Sequence, residues 1–147
     1  MTAACRQRLQ YQGSSLGQTY RHETHLVDAF QMRVGDCYDD EPSNPDQVAD
    51  VPGKPCSELH DNEVFALFDV PTTVFPGDDF LTDYADDGCL DRFEAYVGAT
   101  YKESDLAITH LVPSSQSWRE AGDRVIVCVA YQMELEKISG SVRDSGR

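Results

Sequence analysis

No window of this 147-residue chain approaches the roughly eighteen consecutive apolar residues that a membrane-spanning helix needs. The first thirty residues also lack the apolar core of a secretory signal peptide. No two of the five cysteines stand in C-x-x-C spacing, so zinc-ribbon and thioredoxin-type readings have no support. There is no phosphate-binding P-loop, no dinucleotide fingerprint and no G-x-S-x-G nucleophile elbow. No cofactor and no bound metal are therefore expected. Internal repeats and low-complexity tracts are absent. Basic residues are scarce, with 12 Lys and Arg against 26 Asp and Glu, for a net charge of -14.

The charge is uneven. Residues 1–35 carry Arg6, Arg8, Arg21 and Arg33 against Glu23 and Asp28, whereas Asp36 to Glu136 hold 23 acids against five bases. Such a surface repels nucleic-acid phosphates and anionic lipid head groups, because binding those requires Lys and Arg to displace counterions. A cation or a basic partner is electrostatically allowed, and solubility alone is the plainer reading.

Hydrophobic content of 40% and a one-domain length indicate a globular chain with a real core. Residues 1–29 are polar, rich in Gln, Ser and Gly, and read as a flexible arm. The arm's HETH (22–25) spaces its histidines at i and i+3, unlike zinc-protease H-E-x-x-H, so adventitious metal binding is its ceiling. FQMRVGDCYDD (30–40) reads as a strand reaching Cys37. The segment 41–55, with Pro42, Pro45, Pro52 and Pro55, reads as a surface loop ending at Cys56. NEVFALFDV (62–70) is short, apolar and bounded by Asp61 and Pro71, which favours a buried strand. From Asp79 to Val97, the residues Leu81, Ala85, Cys89, Phe93 and Val97 recur at i+4 as one apolar stripe, with Gly98 as a stop. DLAITHLV (105–112) and RVIVCVAYQ (124–132) read as strands, and a short helix lies between them. The expected fold is α+β, a small, mostly antiparallel sheet packed against one principal helix (about 79–97) and a short helix (about 114–121). One domain spans 30–143, and 144–147 form a C-terminal tail.

Three sets of residues are candidates for chemistry. DYADDGCLDRFE, Asp83 to Glu94, nearly spells an EF-hand loop, with Asp83, Asp87, Asp91 and Glu94 at ligand positions, Gly88 at the turn and only Ala85 out of place. Pro71, Pro76 and Gly77 leave almost no room for an entering helix, and the i+4 stripe runs through the supposed loop, so a solvated helix face is preferred. His60, Asp61 and Glu63 could form a metal site or a general acid–base pair. On a strand, however, Asp61 and Glu63 share one face and His60 takes the other. The favoured reading is a turn, with Asp61 and Asn62 bonding backbone amides. Trp118 with Gly122, Asp123 and Arg124 could form a recognition patch, but a lone Trp in a small domain is more often core, and Asp123 and Arg124 suit a turn. Ser114, Ser115 and Ser117 lack a matching base and read as capping residues.

Of the cysteines, Cys37, Cys56, Cys89 and Cys128 are widely spaced within the domain and Cys5 lies in the arm. Two disulfides plus a leftover thiol is one reading, and four buried thiols is the other. Four cysteines allow three pairings, and spacing does not choose among them.

The motifs VGDCYDD, KPCSELHDNEVFALFDVP, FPGDD, GCLDRFEAYVG, SSQSWREAGDRVIVCVAY and SGSVR resemble, in order, the septum-formation domain of actinobacterial envelope proteins. The resemblance covers about residues 30–143. It implies an extracytoplasmic domain that usually follows a membrane anchor, has no enzymatic activity to carry over and is linked by name to cell division. Oxidised cysteines are then expected, paired as Cys37–Cys56 and Cys89–Cys128. No anchor precedes Phe30, so either an upstream segment is missing or this member lacks one; TAAC at the N-terminus faintly resembles a truncated lipoprotein site with Cys5 acylated. The expected function is a non-enzymatic cell-envelope interaction domain whose partner is an envelope or division protein. Nucleic acid is not expected as a partner, and membrane contact would come only through an anchor. The alternatives are a calcium-responsive module on Asp83–Glu94 and a small metal-dependent hydrolase on His60, Asp61 and Glu63.

Overall fold

The computed structural model describes residues 25–28, 31–40 and 50–147. The most regular apolar run becomes β6 (Val125–Gln132), which lies between β4 (Asn62–Asp69) and β5 (Leu106–Leu111) and is antiparallel to both. Because β4 and β5 share β6 as an antiparallel neighbour, they run in the same direction. The connection between them is therefore a crossover, carried by helix α1 (Asp78–Val97). Beyond β4 the sheet continues through β2 (Cys37–Tyr38), β3 (Asp50–Lys54) and β1 (His25–Asp28), giving six strands in the order β1-β3-β2-β4-β6-β5. A short helix, α2 (Ser115–Glu120), joins β5 to β6.

The α+β class, the principal helix and the short helix agree with the sequence reading. Three stretches differ. The strand expected over 30–40 shrinks to Cys37–Tyr38, because Arg33 to Asp36 close a turn in which Asp36 N–H donates to the Arg33 carbonyl and Gly35 sits at φ 96°. The expected loop at 41–55 contains β3, despite Pro52. The Pro52 carbonyl accepts from Asp39 N–H at 2.9 Å, but the ring has no N–H to return, so the ladder stops there and β2 is short. Residues 25–28, assigned to the arm, form β1 and pair with β3 over the whole strand. The rest of the arm and the first three positions of HETH lie outside the described residues.

Period-two alternation gives the sheet two apolar faces. Ile126, Cys128 and Ala130 of β6 point to the α1 side, and Val127 and Val129 point to the other. On that second face Met32, Tyr38 and Val51 pack against Val64, Val127 and Val129, so the β2–β3 end curls over it. A register shift between Val64 and Ala66 places Phe65 and Ala66 both on the α1 side.

Helix α1 buries Leu81, Ala85, Cys89, Phe93 and Val97, each wholly inaccessible. A strict i+4 row drifts by about 40° per step around a 3.6-residue helix, which suits a rod laid across a twisted sheet. Gly88 is the point of closest approach, since a Cβ there would overlap the Phe68 ring of β4. Disulfide Cys89–Cys128 joins the helix to β6, and Cys37–Cys56 joins β2 to the segment before β4. The helix stops at Gly98 in the left-handed region. Its carbonyls at Tyr96 and Val97 accept from Asp144 and Gly146 N–H, so the C-terminal segment closes the end of α1.

The same helix disposes of the EF-hand reading. Asp83 to Glu94 form about three continuous turns rather than a loop. Ala85, the apparent defect in the ligand pattern, is a core position.

Candidate functional site

Glu63 stands in the apolar run of β4 on the face toward α1, and it is completely buried. An ionised carboxylate in such a place needs donors. Its Oε1 accepts from the Tyr96 hydroxyl and the Ser141 hydroxyl, each at 2.7 Å, and its Oε2 accepts from Val142 N–H at 2.8 Å. Those donors come from α1 and from the segment that returns after β6. Ile138 and Val142 of that segment are themselves core residues, and Ile138 bridges His60 through backbone hydrogen bonds in both directions.

His60 is equally buried, and its Nε2 lies 3.8 Å from Glu63 Oε2. The other ring nitrogen, Nδ1, is 2.7 Å from the Glu58 carbonyl oxygen. A carbonyl only accepts, so Nδ1 carries a proton and Nε2 is the atom that faces the carboxylate. Nε2 has no hydrogen-bond partner. Burial pushes the His60 pKa down, but the Glu63 carboxylate and the Glu58 carbonyl more than reverse this, leaving it above its ordinary value. Burial likewise pushes Glu63 up, and His60, Ser141, Tyr96 and Val142 N–H together hold it below the usual carboxylate range. The pair is thus driven toward imidazolium and carboxylate. Cys37 is the register partner of Glu63 on β2, so its sulfur shares that face. One ligand-type atom from each of Cys37, His60 and Glu63 lies within 4.8 Å of the others.

This arrangement differs from the strand alternation expected for His60, Asp61 and Glu63. The chain bends at Asp61, before β4 begins at Asn62, and the bend turns His60 to the Glu63 side. Asp61 points away. It accepts from Asp40 N–H at 3.0 Å and pairs with Lys137 at 3.0 Å, while Lys137 and Lys54 both hold Asp39. Asp61 therefore bonds a backbone amide as expected of a turn, whereas Asn62 donates its side-chain amide to the Asp40 carboxylate. His60 and Glu63 are sealed from solvent, so the cluster can hold charge and fix chain segments but offers no open face to a substrate.

The tryptophan motif is likewise inward. Trp118 is buried, its Nε1–H donates to the Thr73 carbonyl, Phe75 meets it edge-on, and the Arg124 guanidinium lies 3.7 Å from the ring centre. Asp123 accepts from the Ser117 hydroxyl and from Val125 N–H, and Gly122 takes φ 64° in the turn between them. Ser114 and Ser117 form a reciprocal capping box at the start of α2. Sequence reasoning did not find Tyr96, Ser141, Val142 or the approach of Cys37. The one local signal was an acid inside an apolar strand, which demands donors without saying where they lie.

A family model described as septum formation matches residues 2–142. The chain belongs to the septum formation family. The match extends through the arm and β1, well before the Phe30 start suggested by the motifs. No curated protein and no solved structure matches the chain. No helix among the described residues is long and apolar enough to cross a membrane.

Proposed function

We propose that this septum formation domain is a non-enzymatic, extracytoplasmic interaction module of the cell envelope that meets a basic segment of an envelope or division protein through the outer face of α1. Its two disulfides support an oxidising compartment. The sealing of His60 and Glu63, both without solvent access, argues against hydrolysis there. The observation that carries the reading is the face of α1 turned from the sheet. Asp79, Asp83, Asp87, Asp91 and Glu94 are exposed on it with Phe80 and Leu90 half-exposed among them, while Asp86 and the helix's single base Arg92 reach back to the sheet, to His110 of β5 at 2.9 Å and to the Phe68 ring of β4. The helix is fixed by its disulfide, so these charges form a rigid surface suited to steering a cationic partner.

The test is cross-linking capture from envelope extract with the oxidised domain, against a variant in which Asp83, Asp87 and Asp91 are each replaced by Lys. The expected result is a captured protein with a basic segment, released by moderate salt and lost with the variant. Equal capture by both proteins would remove α1 as the interface. Turnover in a broad esterase and peptidase screen that disappears with His60→Gln would overturn the non-enzymatic reading.

A further inference from the structure

The His60–Glu63 cluster has features that a structural ion pair does not need. The His60 ring is oriented by an Nδ1–H bond to a backbone carbonyl, which is how metal-ligating histidines are commonly held. Its free Nε2 is fully buried and without a hydrogen-bond partner. Glu63 offers about four acceptor positions, of which the three donors named above occupy three, leaving one on Oε2. The 3.8 Å between Nε2 and Oε2 is too long for a hydrogen bond. Two ligands held at ~2.1 Å by a tetrahedral zinc ion stand about 3.4 Å apart, so only a few tenths of an ångström separate this pair from ligand spacing. The third atom, Cys37 Sγ, lies within 4.8 Å of a ring nitrogen of His60 and of a carboxylate oxygen of Glu63. In the oxidised protein that sulfur is bonded to Cys56 and cannot act as a thiolate.

We propose that opening the Cys37–Cys56 disulfide converts this cluster into a site for a thiophilic divalent cation of the zinc class, with Cys37 Sγ, His60 Nε2 and Glu63 Oε2 as ligands. Burial makes the exchange directional. Cys56 is partly exposed and Cys37 is buried, so an external dithiol reaches the Cys56 sulfur first. Its thiolate bonds to Cys56 and expels Cys37 as a thiolate beside His60. The dithiol's second sulfur then displaces Cys56, leaving a cyclic disulfide on the reductant and two thiols on the protein. The cation replaces the protons on Cys37 and on His60 Nε2, which leave to solvent. Cys56 or water completes four-coordination. Disulfide and metal are mutually exclusive at this place, so metal occupancy reports the redox state of the domain. The Cys89–Cys128 bond, whose two residues are wholly buried, stays intact under mild reduction.

The test needs no reductant. In a full chain carrying Cys5→Ser and Cys56→Ser, Cys37 is a free thiol and Cys89–Cys128 remains to hold α1. Cobalt(II) serves as probe because a thiolate ligand gives it a charge-transfer absorption. The expected result is this band at one equivalent, bleached by zinc, absent from the oxidised wild-type protein and from the further variant Cys37→Ser. His60→Gln in the same background should weaken cobalt binding by at least tenfold, with near-ultraviolet circular dichroism confirming that the variant is folded. No band in the folded Cys5→Ser/Cys56→Ser protein, or a band that survives Cys37→Ser, would overturn the proposal. If His60→Gln fails to fold, the Cys37→Ser comparison still decides whether Cys37 is a ligand, and Glu63→Gln takes the place of the histidine variant.

Discussion

Replacing Glu63 by alanine should be among the most damaging single changes in the domain, and the structure sets its size. Val142 N–H, buried at its residue, loses its acceptor, at a cost of about 1–3 kcal/mol. His60 loses its counter-charge, and breaking a buried pair by removing one partner costs about 3–5 kcal/mol. Tyr96 is half-buried and Ser141 exposed, so both hydroxyls can turn to water and add little. The two main terms overlap, because His60 can shed its proton, and about 4 kcal/mol is a fair total. A chain of this length then loses roughly 8–16 °C in Tm at about 2–4 °C per kcal/mol. Glu63→Gln separates the causes. Its carbonyl can keep Val142 N–H while its amide faces the Tyr96 and Ser141 hydroxyls, which can accept as well as donate. The glutamine variant should therefore lose only the charge pairing, about 1–2 kcal/mol once His60 deprotonates. Urea unfolding of the three proteins, with both disulfides intact, provides the comparison. A Glu63→Ala protein within about 1 kcal/mol of wild type, or a glutamine variant as damaged as the alanine one, would refute the view of Glu63 as the acceptor that ties β4, α1 and the C-terminal segment together.

The same pair fixes a pH signature. Glu63 is held below its ordinary value near 4.5, so its contribution is complete above that value and fades as pH falls through the folded pKa; His60 is raised above 6.5, so its contribution is complete below 6.5 and fades as pH rises through the folded pKa. The stability difference between wild type and His60→Gln should thus be largest between about pH 4.5 and 6.5, and a difference that is flat from acid to alkaline pH would remove the ion pair. Gly88→Ala, a change that gains up to about 1 kcal/mol in an ordinary helix interior, should here lose about 1–3 kcal/mol, because the added methyl meets a Phe68 ring already covered by Arg92 at 4.1 Å. A stabilised Gly88→Ala protein in thermal unfolding would contradict that packing. Removing Cys89–Cys128, whose cysteines are 39 residues apart, should cost about 3.9 kcal/mol of chain entropy, against about 3.3 for Cys37–Cys56 at 19. The reverse order in urea unfolding of the two double-alanine variants would show that strain or residual structure outweighs loop length.

What could be read from the sequence was whatever depends on near neighbours in the chain. The α1 stripe is written at i+4 from Leu81 to Val97 and survives the competing EF-hand pattern, because five buried positions in one row outweigh aspartates that any solvated helix face can carry. β4 and β6 are legible as dense apolar runs covered on both faces. β1 and β3 are not. Pro52 and Gly53 carry the signals of a loop, and only pairing with strands far along the chain makes that segment extended. Alternation also misplaced His60, since i and i+3 fall on opposite faces of a regular strand, and one bend at Asp61 reverses the outcome.

Glu63 shows where that boundary lies in physical terms. An acid within NEVFALFDV is costly unless several donors converge on it, so the residue announces a network. Two of its donors, Ser141 and Val142, stand 78 and 79 positions away and reach it only because Ile138 pairs with His60 and Val142 enters the core. The network is therefore a product of closure. It forms when the last segment returns across the domain, and that same return satisfies the terminal carbonyls of α1 through Asp144 and Gly146. A residue whose partners arrive last cannot be read locally, yet it reports most directly on whether the chain has closed. Truncation before Ser141 should consequently break the same Val142–Glu63 bond as Glu63→Ala and lower the urea midpoint further, because it also takes Val142 out of the core and leaves the Tyr96 and Val97 carbonyls of α1 without Asp144 and Gly146; a truncated protein as stable as Glu63→Ala would contradict this closure.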